Sequence, residues 1–311
     1  MTEESKSFDP FEHKPDISDS SRRLYVFNLT KLNDGKPLKD LKFLGKEGVI
    51  EKIANLKPNT KRTYLISIVS ALRGRPDAKY KKLYAKFYDS LMKLNKDLKD
   101  NTEKTDKVKD NWIDQKSVME KQRHLTEIMP KIADKKKITE AEYNDLLHLV
   151  VVSLYTLQSP RRNKDYADMM VVKKTPIEEK RADNYLDIGK WNWIFNNYKT
   201  QKKYSQQVLA IPEDLQSILK VYLRFHPKSK EMKKSGAEEP FLVKFDGTPI
   251  KTSPEMTRLL NKIFGKKVGC SMLRSIYLTE KYGDTMKEMR NDVNQMGTSA
   301  ETAQNNYIKK D

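Results

Sequence analysis

The sequence predicts a mainly α-helical protein with a small antiparallel sheet. We expect a helical N-terminal domain over residues 21–130 and an α+β domain over residues 131–311. Apolar residues recur at helical spacing through most of the chain, which is the primary sign of packed helices. Short runs with strand character occur in the second domain. The length of 311 residues accommodates two domains of ordinary size.

The first domain is expected to follow a flexible tail, residues 1–20, which holds few large apolar residues, two prolines and a cluster of Ser and Asp. Helices are predicted over residues 60–72 and 80–98, where apolar side chains recur every three or four positions. Lys61 and Arg62 lie in the first turn of the earlier helix.

The connection between the domains is strongly polar. Residues 95–110 contain no aromatic residue and are almost wholly polar or charged, as expected of a linker or an exposed helical connection. A helical period returns at Trp112 and ends in the lysine run at residues 135–137. The domain boundary is placed in this stretch, near residue 130.

The second domain begins with a helix and continues with strands. Thr139 and Glu142 predict a capping box at the start of a buried helix that contains residues 146–152. Strands are predicted at residues 169–172, 191–196 and 208–211. Residues 197–207 would form the turn between the last two strands.

The rest of the second domain is predicted to be helical. Helices are expected over residues 213–225, 253–264, 272–281 and 285–295, with a last one beginning near Ser299. Ser253 followed by Pro254 is a typical helix start. Gly283 and Gly297 would end the two helices that precede them.

Composition narrows the class of function. Lys and Arg number 61 against 43 Asp and Glu, which gives a formal net charge of +18. This excess favours a polyanionic partner, most commonly nucleic acid. The single cysteine, Cys270, excludes a disulfide framework and a multi-cysteine zinc module, and the four histidines are scattered. No metal or cofactor is therefore expected.

Nothing in the sequence predicts secretion or a membrane span. The first 20 residues lack the apolar stretch of a secretory signal. The longest apolar run, residues 146–154, is too short to cross a bilayer. We expect an intracellular protein that is not secreted and is associated with DNA.

Four short motifs follow one another in the second domain. The first, Ser159-Pro-Arg-Arg-Asn-Lys-Asp-Tyr166, contains Arg-x-x-Asp at a predicted helix start. The second, Asn197-Tyr-Lys-Thr-Gln-Lys-Lys203, places lysines in the predicted turn. The third is Ser271-Met-Leu-Arg274, and the fourth runs from Gly297 to Tyr307. Each motif is weak alone, and their order is the more specific signal.

In order and spacing these motifs resemble the tyrosine recombinase (phage integrase) family. In detail they are most similar to the integrase-like proteins of large DNA viruses and virophages. The family has an Arg, a Lys on a hairpin, His-x-x-Arg, and a Tyr nine residues after a second His. Nine residues also separate Thr298 from Tyr307 here. The resemblance covers roughly the whole chain and implies a helical DNA core-binding domain followed by a catalytic domain.

The resemblance implies four catalytic residues, Arg162, Lys199, Arg274 and Tyr307. Two guanidinium groups suit the charged oxygens of a phosphodiester. The lysine would protonate the departing 5′ oxygen, and the tyrosine would form a 3′-phosphotyrosyl link that stores the bond energy for rejoining.

Neighbouring residues are expected to support this set. Arg162 is preferred over Arg161 as the catalytic arginine because its spacing to Asp165 matches the family's. Asp165 would then support Arg162 or cap its helix. The fallbacks for Lys199 are the lysines at the end of the same motif. Residues expected to bind DNA are Lys61, Arg62, Arg161, Lys202 and Lys203.

The chain departs from the family at both histidines, which are replaced by Ser271 and Thr298. A hydroxyl can donate a hydrogen bond to a phosphate oxygen, but it cannot act as a base near neutral pH. Because general acid–base catalysis contributes about 10²–10⁴-fold, activity is expected to be attenuated or dependent on a partner.

The expected partner is double-stranded DNA, bound by a homo-oligomer (a tetramer) on paired sites. Only four residues follow Tyr307, which favours cleavage in cis over exchange of a terminal helix. Three alternatives stay open. They are a non-catalytic DNA-binding protein on a degenerate recombinase fold, a type IB-like topoisomerase and, with least support, a basic RNA-binding protein.

Overall fold

The computed structural model describes residues 8–100, 106–173, 183–234 and 236–308. The chain forms two compact units, residues 1–104 and 105–311. The division therefore lies near residue 104 and not near residue 130 as expected. The reason is that the segment between these positions packs with the second unit, where Val118, Ile128 and Ile132 join its hydrophobic core.

The described part of the first unit is helical. Its elements are α1 Asp19–Leu32, a 3₁₀ turn Lys42–Gly45, α2 Glu47–Ala54, α3 Pro58–Leu72 and α4 Ala78–Asp100. Helices α3 and α4 match the two helices predicted from apolar spacing to within two residues at each end. They belong to one core, in which Leu65 and Ile68 of α3 cluster with Phe87 of α4.

Residues 8–18 belong to this fold, in contrast to the flexible tail expected over residues 1–20; residues 1–7 lie outside the described residues. The Phe11 side chain is fully buried in the core of the first unit. Asp9 forms an ion pair with Arg22 of α1. Arg75 Nη2 donates to the carbonyl oxygen of Pro10 at 3.0 Å. Burial of one large aromatic ring, with polar contacts on either side, orders a segment whose composition is mostly hydrophilic.

The second unit surrounds one central helix. Its helices are α5 Asp106–Asn111, α6 Gln115–Thr126, α7 Ile128–Ile132, α8 Glu140–Thr156, α9 Asn163–Tyr166, α10 Gln201–Tyr204, α11 Glu213–Phe225, α12 Ser253–Phe264, α13 Cys270–Gln295 and α14 Ala300–Thr302. Short 3₁₀ and π-helical turns occupy Glu231–Lys233 and Ala303–Tyr307. Among the described residues, none of these helices has both the length and the apolar composition needed to cross a bilayer.

Helix α8 is the centre of this unit. The predicted capping box is present, with reciprocal bonds between Thr139 and Glu142. From Tyr143 to Tyr155 the helix is buried on nearly all sides, and α6, α7, α11 and α12 pack around it. Such burial requires an apolar surface all round the helix, as in the run at residues 146–152.

Five short strands form a mixed sheet in the order β4-β3-β2-β1-β5. They are β1 Met170–Val172, β2 Tyr185–Asp187, β3 Asn192–Phe195, β4 Gln207–Ala210 and β5 Glu239–Pro240. Strands β1, β3 and β4 were predicted within one residue at each end. The expectation of an antiparallel sheet holds for all pairs except β1 and β2, which are parallel. The unpredicted β2 lies between β1 and β3, and its parallel pairing with β1 makes the sheet mixed.

Helix α13 replaces the two helices predicted over residues 272–281 and 285–295. It runs without a break through Gly283, because a glycine inside a helix weakens the backbone ladder without interrupting it. The helix ends as predicted at Gly297, which has φ +67°. The N–H of Thr298 donates to the carbonyl oxygen of Val293 at 2.9 Å and that of Gly297 to Asn294 at 3.1 Å. These two bonds form a Schellman motif.

Candidate nucleic-acid interface

The first motif forms a short irregular segment, residues 157–163, which we call the arginine segment. Gln158 anchors its start: Nε2 donates to the Tyr166 hydroxyl at 2.6 Å and Oε1 accepts from the Trp193 indole at 2.8 Å. Asn163 anchors its end: Oδ1 accepts from the Tyr155 hydroxyl at 2.6 Å and Nδ2 donates to Thr257 at 3.0 Å. The backbone between these two anchors is therefore held on both sides.

Arg161, which we expected to bind DNA, is engaged with protein groups. Its Nε lies 2.9 Å from Oδ2 of Asp165, and the two side chains are 16% and 3% exposed. Its Nη1 donates to Gln207 at 2.8 Å, and the guanidinium lies 3.7 Å from the ring centre of Phe195. Arg161 thus ties the arginine segment to strands β3 and β4 of the sheet.

Asp165 forms its ion pair with Arg161, whereas the sequence suggested that it supports Arg162 or caps the helix that follows. The charge and the backbone of Arg162 also act on the Asp165 carboxyl, so this carboxyl interacts with both arginines. Burial raises the pKa of the Asp165 carboxyl above its usual range, and the neighbouring Arg161 opposes this shift. Desolvation therefore outweighs the attraction of the guanidinium. The second carboxylate oxygen, Oδ1, is buried without a hydrogen-bond partner, so the pair is costly to keep in its charged form.

Arg162 differs from its neighbour in that its guanidinium forms no hydrogen bond or ion pair within the described chain. It is the N-cap of α9, with extended backbone angles, and its side chain is half-buried. Its charge acts on the nearby Asp165 carboxyl where, together with Arg161, it opposes the rise in pKa that burial causes. A half-buried guanidinium whose N–H groups have no acceptor, on a backbone held at both ends, can donate them to an external anion.

Lys199 lies in the β3–β4 connection, which contains the short helix α10 instead of a tight turn. This connection is fastened to α9: Asn184 Nδ2 donates to the carbonyl oxygens of Asp165 at 2.9 Å and Asn197 at 3.0 Å. Lys164 Nζ also reaches Asn197 Oδ1 at 3.0 Å. The Lys199 side chain is exposed, as are those of the neighbouring lysines Lys202 and Lys203.

Arg274 and Ser271 lie in the first two turns of α13. Arg274 is half-buried, Ser271 is exposed, and neither side chain has a hydrogen-bond or ion-pair partner among the described residues. The next turn of the helix meets the arginine segment, where the hydroxyl oxygens of Tyr277 and Ser159 are 3.4 Å apart. The structure therefore brings the elements that carry Arg162 and Arg274 into contact.

Tyr307 and Thr298 lie beyond the other end of α13. The helix has 26 residues, and from Arg274 to Gln295 it extends about 32 Å along its axis. The Tyr307 side chain is 60% exposed at the end of the π-helical turn. In the described part of the chain, no hydrogen bond or ion pair joins Tyr307 or Thr298 to Arg162, Lys199 or Arg274.

The two residues of the first unit that were expected to bind DNA, Lys61 and Arg62, lie at the start of α3. Lys61 borders a cleft of about 310 Å³ whose floor is apolar and whose rim also carries Lys86 and Lys93. Arg62 Nε donates to Asn95 of α4 at 2.6 Å. Lys61 therefore belongs to a basic patch, whereas Arg62 also connects two helices.

Sequence reasoning did not single out Tyr277 and Lys281, which lie beside the arginine segment: the Tyr277 hydroxyl is 3.4 Å from Ser159 Oγ and from Lys281 Nζ. Tyr277 follows Arg274 by three residues, so a helical extension of the third motif would have placed the two side chains on one face. The contact of Tyr277 with Ser159 could not have been predicted, because it depends on the packing of α13 against the arginine segment.

No group of His, Cys, Asp and Glu suited to hold a metal ion occurs among the described residues. Comparisons with protein-family models, with curated proteins and with solved structures find no significant match for this chain. The functional interpretation therefore depends on the residues and their geometry.

Proposed function

We propose that this protein binds double-stranded DNA and cuts and rejoins it through a 3′-phosphotyrosyl intermediate. The observation that carries the proposal is the pair Arg162 and Arg274, two half-buried arginines that form no hydrogen bond or ion pair among the described residues and lie on elements that touch. Lys199 lies on a connection fastened to the same region. The net charge of +18 supplies the general attraction for a polyanion.

The proposed chemistry assigns one task to each group. Arg162 and Arg274 neutralise the non-bridging oxygens of the scissile phosphate. The Tyr307 phenol releases its proton to solvent as its oxygen attacks phosphorus, the bond from phosphorus to the 5′ oxygen breaks, and Lys199 gives that oxygen a proton. The reverse steps rejoin the strand. The proposal also includes a homo-oligomer on paired DNA sites, since exchange of strands requires two duplexes.

This mechanism requires Tyr307, which follows the far end of α13, to reach a phosphate held near the first turns of that helix. The Tyr307 phenol is exposed, and the segment that follows Gly297 is short. Either a rearrangement of residues 298–308 on DNA or the site of a second copy would satisfy this requirement. Cleavage in cis corresponds to the first route.

The direct test is formation of a covalent protein–DNA adduct on nicked duplex substrates that trap the cleaved strand. The substrates are the ends of the DNA element that encodes the protein, with a random-sequence pool beside them. We expect an adduct on a denaturing gel that is lost in Tyr307→Phe and retained in Tyr204→Phe, a matched change at another exposed phenol. An adduct that persists in Tyr307→Phe would exclude this residue as the nucleophile.

A non-catalytic DNA-binding protein is the second candidate. It is favoured by the unbroken helix α13, which separates Arg274 from Tyr307, and by the hydroxyl residues Ser271 and Thr298 at the two histidine positions. Salt-dependent DNA binding without any adduct on these substrates is the result expected for this candidate.

A further inference from the structure

A second tyrosine lies at the contact between the elements that carry Arg162 and Arg274. Tyr277 follows Arg274 by three residues on α13, so both side chains project from one face of the helix. Its hydroxyl oxygen lies 3.4 Å from Oγ of Ser159, in the segment that carries Arg162. The phenol is therefore situated at the contact between the elements that carry these arginines.

The surroundings of this phenol are positively charged. Lys281 Nζ lies 3.4 Å from the Tyr277 hydroxyl and 5.6 Å from the centre of its ring. Lys281 also lies 5.3 Å from the ring centre of Tyr282, and no carboxylate pairs with it in the described part of the chain. The hydrogen bond between Ser159 and Tyr277, followed by the contact with Lys281, lowers the pKa of Tyr277 below its usual value. A more acidic phenol is a stronger hydrogen-bond donor to an anion.

Both contacts of the phenol are long. Hydrogen bonds between hydroxyl groups are usually about 2.7–2.8 Å between oxygens, whereas Ser159 and Lys281 are each 3.4 Å away. The Tyr277 hydroxyl is thus loosely held by exposed groups and can exchange them for a charged oxygen, which is a better acceptor.

We propose that the Tyr277 hydroxyl donates a hydrogen bond to the DNA phosphate that Arg162 and Arg274 hold, and that Lys281 adds a positive charge to the same subsite. This inference rests on the proposed DNA-binding function and assigns to its site a phenol and an ammonium that the motifs do not include. The phenol supplies a phosphate-directed donor six residues, or about 1.7 helical turns, after Ser271, which stands where the family has histidine.

The test compares Tyr277→Phe with Tyr282→Phe, the same change at a neighbouring phenol that also lies beside Lys281. Affinity for a labelled duplex is measured by fluorescence anisotropy over a series of salt concentrations. A hydrogen bond to a charged group corresponds to about tenfold or more in affinity, so Tyr277→Phe is expected to bind at least that much more weakly. Tyr282→Phe is expected to stay within about twofold of the parent protein.

Two further variants sharpen the assignment. Lys281→Gln is expected to reduce the slope of log affinity against log salt by about one, as for loss of one phosphate contact. Ser159→Ala removes the resting partner of the phenol and is expected to leave affinity unchanged or slightly higher. Tryptophan fluorescence during urea unfolding checks that each variant is folded, since all these side chains lie at the surface.

The outcomes separate this inference from the function on which it depends. Equal affinities for Tyr277→Phe and Tyr282→Phe would overturn the inference, even where the parent protein binds DNA and forms the Tyr307 adduct. A parent protein that binds no DNA would refute the proposed function and the inference together. A selective loss in Tyr277→Phe without any adduct would support the phosphate subsite and favour the non-catalytic candidate.

Discussion

Replacement of Arg161 by methionine tests whether the two adjacent arginines have different tasks. Arg161 and Asp165 form an ion pair that is 16% and 3% exposed, with 2.9 Å between Nε and Oδ2. Methionine retains an unbranched apolar stem but removes the guanidinium. Removal of one partner leaves the other charge buried and uncompensated, which costs about 3–5 kcal/mol. We expect Arg161→Met to lower the free energy of unfolding of the second unit by about 3 kcal/mol.

Arg162→Met is the matched control, because it makes the same change at the neighbouring residue. Since Arg162 has no hydrogen-bond or ion-pair partner in the described structure, its loss is expected to change stability by about 0.5 kcal/mol or less. The same variant is expected to weaken DNA binding. Arg161→Met would then impair folding, and Arg162→Met would impair function in a folded protein.

The assay is tryptophan fluorescence during urea denaturation. All three tryptophans, Trp112, Trp191 and Trp193, lie in the second unit, so the signal follows the unit that contains the ion pair. The separate unfolding of residues 1–104 does not enter this signal, which simplifies the two-state treatment of a two-unit chain.

A double-mutant cycle with Asp165→Asn completes the test. Asparagine retains an acceptor oxygen and avoids the desolvation that raises the pKa of the Asp165 carboxyl. In the double variant neither charge is buried alone, so its loss of stability is expected to fall short of the sum of the single losses by at least about 1 kcal/mol. Losses in the free energy of unfolding that add up in the double variant, or equal stability of Arg161→Met and Arg162→Met, would refute the claim that Arg161 stabilises the fold and Arg162 does not.

Two further predictions concern stability. Burial lowers the pKa of His226 to about 4, against about 6.5 when unfolded. Because the folded state resists protonation, the free energy of unfolding is expected to fall by about 3 kcal/mol as the pH drops from about 6.5 to about 4, and His226→Gln should flatten this dependence; an equally steep profile in the variant would contradict it. In circular dichroism melts, Gly283→Ala is expected to stabilise α13 by about 1 kcal/mol, since its Cβ would lie 3.6 Å from Cγ2 of Thr279. Gly297→Ala, at φ +67°, is expected to destabilise by about 1 kcal/mol, so shifts of the same sign would contradict this pair.

Local signals predicted most of the fold. The capping box at Thr139, the helix start near Pro254 and the glycine end at Gly297 are all present, because each depends on residues within one or two turns. Strand β5 was missed because it has only two residues, too few to show alternation. Strand β2 is as short as β1 but contains an Asp and no pair of β-branched residues such as Val171 and Val172, so its composition does not indicate a strand. The helix end predicted at Gly283 was wrong, because a glycine is compatible both with a helix end and with a helix interior. Only packing decides between these two positions.

The candidate site was less predictable than the fold. The motif order selected Arg162 and Arg274, which form no hydrogen bond or ion pair in the described structure and lie on touching elements. Motif spacing assigned Asp165 to Arg162, but the carboxylate forms its ion pair with Arg161 and interacts with the charge of Arg162 as well. Which of the two adjacent arginines is bound by protein groups depends on Phe195 and Gln207, which contact Arg161 from the sheet. Contacts that are distant in sequence leave no sign in a local motif.

The arrangement explains why two arginines stand side by side in the first motif. A guanidinium that binds a phosphate cannot be held in position by an ion pair with a protein carboxylate, because that carboxylate would compete with the phosphate for the same N–H groups. The restraint then has to come from a neighbour. Arg161 supplies it by binding Asp165, Gln207 and the face of Phe195. The unsatisfied oxygen of Asp165 shows that this restraint costs stability. A buried ion pair is often no more stable than an apolar pair of similar volume, so in the proposed function the Arg161–Asp165 pair serves to position Arg162.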